Sequence, residues 1–125
     1  MKKIALTLAA LTSLAVTATA EDAPKDEALA LATILDAARD NDLEKFESVC
    51  DEAMKTGMTP EKLDQVSGQI APLMKEGYET SYMGVLDRGV VNTYYWKLDY
   101  EKEGIPDMLA ELSFKDGKVA GFFIR

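Results

Sequence analysis

The chain has 125 residues, a formal net charge of −8, no histidine and one cysteine. That length holds one hydrophobic core, and the acidity argues against phosphate backbones and anionic lipid surfaces, so no nucleic acid and no membrane partner is expected. Without histidine there is no Ser-His-Asp triad, no Cys-His pair and no imidazole-bound metal, and zinc would find only Cys50 as a soft ligand, so no catalytic residue, metal or cofactor is assigned.

The first segment reads "MKKIALTLAALTSLAVTATA", with two lysines, an apolar run from Ile4 to Val16 and small residues ending at Ala18-Thr19-Ala20. These are the charged region, apolar region and cleavage site of a secretory signal peptide, and the run is shorter than the roughly 20 apolar residues of a bilayer span. Residues 1–20 are therefore expected to be removed, leaving 21–125 as a single periplasmic or secreted domain with no membrane contact after cleavage. Losing Lys2 and Lys3 with no acidic residue moves the formal charge from −8 to −10. An oxidising compartment offers Cys50 no internal partner. Beside Val49 and Ala53, and next to carboxylates in "SVCDEA", it reads as a buried small hydrophobe, with an intermolecular disulfide as the alternative.

After Pro24, "EALALATILDAARD" places Ala28, Leu31, Leu35 and Ala38 on one stripe, predicting an amphipathic helix. Asn41 or Asp42 then caps a second helix in which Leu43, Phe46, Cys50 and Ala53 recur on one side. A third opens with Thr59 as cap and Pro60 in the first position, turns Leu63, Val66, Ile70 and Leu73 or Met74 inward, is expected to bend or end near Gly68 to Pro72, and stops at Gly77. The acidic "DNDLE" has the alternate carboxylates of a calcium loop, but Lys45 stands where the loop needs glycine and Leu43 to Cys50 reads as helix.

From Tyr78 the residues favour strands: "YETSYMGVLD", "VVNTYYWKLDYE", "MLAELSF" and "VAGFFIR", separated by "RG", "KEGIP" and "KDGK". Four antiparallel strands in a meander follow, with Asp116-Gly117 as a type I′ hairpin turn. Alternation in the second strand puts Val90, Asn92, Tyr94, Trp96, Leu98 and Tyr100 under the helices and Tyr95 on the other face. A two-residue turn at Asp116-Gly117 pairs Phe114 with Val119, Leu112 with Gly121 and Ala110 with Phe123, which leaves Leu109, Phe122 and Ile124 on the outer face with Tyr95. That surplus of apolar side chains predicts a covered outer face, and Tyr95, Leu109, Phe122 and Ile124 are the candidate interface of a homodimer packed through it.

The "ND" helix start, "TPEKL", the Gly77 stop and the end "DGKVAGFFI" resemble small secreted bacterial domains of the nuclear transport factor 2-like superfamily, the cystatin-like α+β cone. The resemblance covers nearly all of the mature chain. It implies three helices packed on a curved four-stranded antiparallel sheet, a cavity between sheet and helices, and dimerisation through the sheet. Met74, Tyr82, Asn92, Tyr94 and Trp96 are the candidates to line that cavity, taking a small apolar ligand. The functional expectation is a non-catalytic ligand-binding or protein-interaction domain. The alternative is a small isomerase or hydrolase-accessory enzyme working in the same cavity, for which Glu79 and Glu111 are the nearest acids, Glu111 on the wrong face. A carboxylate inside the cavity beside Tyr94 would favour the enzyme, and a cavity filled by Trp96 and the helices would favour a purely interacting protein. The signal-peptide reading itself is checked by the intact mass of the exported protein, expected to begin at Glu21; retention of Met1 to Ala20 in a cytosolic product overturns it.

Overall fold

A computed structural model describes residues 23–125, so the expected signal peptide and the mature end at Glu21 lie outside the described residues. Helix α1 (Lys25–Asp40) buries Ala30, Leu31, Ile34, Leu35, Ala37 and Ala38 along one side; of the expected stripe Leu31, Leu35 and Ala38 are buried and Ala28 is half-buried. It closes at Asn41, which takes the left-handed conformation with φ 54°. Asp42 then caps α2 (Leu43–Glu47), its carboxylate accepting from the Lys45 N–H at 3.1 Å.

The single second helix expected through Ala53 is instead two short ones. The chain leaves helical geometry after Glu47, and α3 (Glu52–Gly57) starts afresh with Asp51 as its cap, accepting from the Met54 N–H at 2.8 Å. The cause is tertiary. Val119 donates its N–H to the Val49 carbonyl at 2.8 Å, and Asp51 donates to the Val119 carbonyl at 2.9 Å, so Cys50 forms a parallel bridge with a strand edge. Phe46 and Cys50 stay buried in this arrangement, so the hydrophobic spacing alone could not distinguish it from a continuous helix. Ala53 is exposed.

Helix α4 (Pro60–Met74) has Thr59 as cap and Pro60 in its first turn, as its sequence requires. It continues through Pro72 to Met74 rather than ending between Gly68 and Pro72, since Pro72 falls in the last turn and costs one helical hydrogen bond near the end. Gly77, with φ 106° and its N–H on the Met74 carbonyl at 2.9 Å, turns the chain into the sheet.

Strands β1 (Tyr78–Asp87), β2 (Asn92–Tyr100), β3 (Met108–Lys115) and β4 (Lys118–Ile124) form one antiparallel sheet in that order. Asp116 and Gly117 have φ of 53° and 79°, the two left-handed residues of a type I′ turn. Trp96, Leu98 and Tyr100 of β2 are buried with Ala110, Leu112 and Phe114 of β3, and α1 and α4 cover them with Leu35, Leu63, Ile70 and Met74. Val90, expected at the start of this row, sits in the β1–β2 connection and is 79% exposed.

The terminal hairpin departs from its expected register. Lys115 pairs with Lys118 and Phe114 with Val119, but Ala120 is then an extra residue and Ser113 pairs with Gly121, Leu112 with Phe122, Glu111 with Phe123 and Ala110 with Ile124. A bulge of one residue turns every later side chain to the opposite face. Phe122 and Ile124, expected outside, therefore pack toward the helices against the core, and Phe123 takes the outer position.

Trp96 is 2% exposed and the largest of the fully enclosed side chains. Trp96→Ala is expected to cost about 3–5 kcal/mol in chemical denaturation, the usual range for a large core aromatic; a loss within about 0.5 kcal/mol would mark a surface residue instead.

Candidate functional site

The residues expected to line a central cavity are brought together, but as a filled layer. Rings of Phe114 and Tyr94 are 5.4 Å apart, Tyr94 and Trp96 6.2 Å, and Trp96 and Tyr82 5.6 Å, a row crossing the helix-facing side of the sheet. Trp96 and Met74 are buried, Tyr82 and Tyr94 are half-buried, and Asn92 is exposed at the start of β2, away from any enclosed space. Trp96 occupies the interval that a ligand would need. Between α1 and β1 lies a cleft of about 220 Å³, lined by Leu31, Leu35, Tyr78, Thr80 and Trp96 among others.

The polar chemistry around this layer is sparse. Burial pushes the Tyr94 hydroxyl above its usual range, and the Glu27 carboxylate of α1 adds to the shift by repelling the phenolate and accepting from the phenol. Glu27 is itself half-exposed, and a phenol held further from neutrality is less suited to proton transfer at neutral pH. Glu79 is exposed, and Glu111 faces the outer side, where it pairs with Arg125. Tyr100 has a buried hydroxyl with no partner among the described residues, and burial, then Tyr78, raise its pKa. Among the described residues no group of three or more carboxylate or thiol side chains is placed to hold a metal ion.

Cys50 borders a cleft of about 390 Å³ together with Asp51, Glu52, Lys55, Lys115 and Lys118. Its Sγ donates to the Phe46 carbonyl at 3.1 Å. Burial, then the Asp51 and Glu47 carboxylates, push the thiol up to about 12. That is the opposite of an activated nucleophile, which needs a lowered pKa.

Sequence reasoning missed the groove between α4 and the ends of β3 and β4. Val66, Ile70 and Leu73 of α4, Met58 before it, Met108 of β3, and Phe122 and Ile124 of β4 line a space of about 390 Å³, with Gln69, Phe123 and Arg125 at its rim. "QVSGQIAPLM" from Gln65 to Met74 and "VAGFFI" from Val119 to Ile124 carry no charge, but residues 28–35, 80–86 and 89–96 are uncharged too, so composition alone did not single the groove out. Arg125 is held by Glu111 and lies 5.3 Å from the Phe123 ring centroid, so its cation is already paired. Of the expected interface residues, Leu109 and Tyr95 do lie on the outer face. Tyr95 is half-buried there, its hydroxyl accepting from Arg88 at 3.2 Å, and only Phe123 stands out as a large exposed apolar group on this side of β4, at 60% exposure.

No protein-family model matches the chain, and no curated protein sequence does. A search of solved structures finds a crystal structure of an uncharacterized cystatin fold protein from Novosphingobium aromaticivorans, similar over 78% of this chain and 95% of that one at 13% sequence identity and a TM-score of 0.42. That likeness brings no function with it.

Cys50 also sets a pH dependence. In the unfolded chain its thiol ionises near the ordinary value of 9, whereas in the folded chain it holds its proton to about 12. Between these values the unfolded state binds fewer protons, so stability is expected to fall as pH rises through that window, with Tyr78 and Tyr100, both raised from 10, adding to the loss at its upper end. Denaturation midpoints across alkaline pH measure this. Alkylation of Cys50 is expected only once denaturant unfolds the domain, and rapid modification of the native protein would show the thiol to be accessible.

Proposed function

We propose that this is an exported, non-catalytic binding module whose ligand is an uncharged apolar group taken into the groove between α4 and β4. The observation that carries the reading is the groove's lining: apolar side chains from four separate segments converge on one space, with Gln69 and Arg125 as its polar groups. Export rests on residues 1–20 alone. Among the described residues no helix is long and apolar enough to cross a membrane.

The enzymatic alternative would act between sheet and helices. Trp96 fills that interval, and the one carboxylate beside Tyr94 is the half-exposed Glu27 rather than an enclosed acid. Catalysis there would need both a vacated tryptophan pocket and a second proton-transfer group. The binding reading needs no rearrangement.

The test is fluorescence titration with an uncharged, polarity-sensitive apolar dye. Saturable binding is expected, and Leu73→Gln, at the half-buried rim of the groove, should weaken it at least tenfold, since a polar amide would face apolar walls without a partner. Equal binding by Leu73→Gln and the native protein would move the site elsewhere, and no saturable binding would end the small-ligand reading.

A further inference from the structure

The two edges of the sheet are finished differently. β1 carries Glu79 and Asp87 near its ends and a bulge at Met83, devices that discourage another strand from pairing. The outer edge of β4 is covered by the chain's own Val49–Asp51 segment at Val119, and there the cover stops. Gly121 to Arg125 have β3 on one side and no paired strand among the described residues on the other.

The hydrogen-bond phase of this free stretch is fixed. Leu109 and Arg125 exchange both backbone bonds, at 2.7 and 2.9 Å, so Arg125, Phe123 and Gly121 direct their N–H and C=O groups to β3. By alternation Phe122 and Ile124 direct theirs outward. The same two residues line the apolar groove, and Phe123 between them, outward by alternation and 60% exposed, borders it from the edge.

We propose that this edge pairs with the same edge of a second copy, antiparallel, about a twofold axis through Phe123. In that register Phe122 lies opposite Ile124 of the partner subunit and Ile124 opposite Phe122 of the partner subunit, each pair exchanging two N–H···O bonds. The outward-facing groups are thereby satisfied in the only phase available to them. Phe123 meets Phe123 of the partner subunit at a non-hydrogen-bonded position, where Cα atoms approach to about 4.5 Å, and the two exposed rings cover one another. Arg125 falls opposite Gly121 of the partner subunit, so no like charges are opposed, and the added strand ends before Val119, where residues 49–51 already hold the edge.

Charge permits a second copy at this edge: the chain is acidic as a whole, but Val119 to Ile124 carry no charge, so two such edges meet without like-charge repulsion. A twofold contact of this kind is closed and cannot propagate into a filament. It also places the two grooves side by side beneath one continuous sheet, with the strand of the partner subunit forming the side that is open in one copy alone. The dimer does not depend on whether a ligand fills the groove.

Sedimentation velocity of the full chain over a concentration series, with three variants, decides the matter. The native protein is expected to dimerise, and Phe123→Glu, which changes an exposed side chain, should leave the denaturation midpoint of the monomer intact while raising the dimer Kd at least ~100-fold by opposing two carboxylates on the axis. Under mild oxidation Phe123→Cys should form an intersubunit disulfide, because a Cα separation of about 4.5 Å lies within the range such bonds span, whereas Leu109→Cys, one strand further in, should not. Three results overturn the proposal: a native protein that stays monomeric at ~100 μM, a dimer indifferent to Phe123→Glu, or cross-linking at Leu109 in preference to Phe123, which would indicate stacked outer faces. A monomer that still binds the apolar dye removes the dimer and leaves the groove; a dimer without dye binding does the reverse.

Discussion

One extra residue in β4 governs the outer third of this molecule. Ala120 is unmatched in the ladder between β3 and β4, and because side chains alternate with a period of two, its insertion exchanges the faces of everything that follows. Phe122 and Ile124 thereby join the core, with Phe122 meeting Phe46 edge-on at a centroid distance of 6.2 Å, and Phe123 is left outside. Without the bulge, Phe123 would lie against the helices and its two neighbours would be wet. The groove, the exposed ring and the phase of the free edge are all consequences of that one displacement.

The second constraint is the bulk of Trp96. An indole flanked by Tyr82 and Tyr94 fills the layer where a cone of helices on a sheet would otherwise keep a cavity. Interiors pack to the density of organic crystals, so space given to an indole is not available to a ligand. The apolar groove lies instead at the seam where α4 parts from the last strand, and the Tyr100 hydroxyl is buried in the core without a partner among the described residues.

Edge protection links these observations to the broken helix. A continuous helix from Leu43 to Ala53 would have buried Phe46 and Cys50 equally well, but it could not have offered the Val49 carbonyl and Asp51 N–H to Val119. The chain gives up helical bonds, restarts with Asp51 as a cap, and covers the first half of an exposed strand edge in return. The same segment seals the Cys50 thiol beneath it, with carboxylates on either side. Where this cover ends, a short uncharged stretch of strand edge lies beside the apolar groove.

Local chemistry settled much from sequence alone. The caps at Asp42 and Thr59, Pro60 in a first turn, the Gly77 stop, the Asp116-Gly117 turn and the four-strand meander follow from backbone requirements that a few neighbouring residues meet by themselves. The inward side of Trp96, Leu98 and Tyr100 followed from strict alternation in an unbulged strand. What only tertiary structure decided are the places where two local solutions are nearly equal in energy and a distant contact chooses between them. Helix or strand-like bridge at residues 48–51 was chosen by Val119, about seventy residues away in sequence. The face on which Phe122 and Phe123 lie was chosen by how β4 fits over Phe46 and α4, since both rings are equally apolar and nothing in "VAGFFI" announces a bulge. Alternation propagates any such choice without attenuation, and for that reason a register error of one residue concealed the groove and the edge while leaving the fold itself legible.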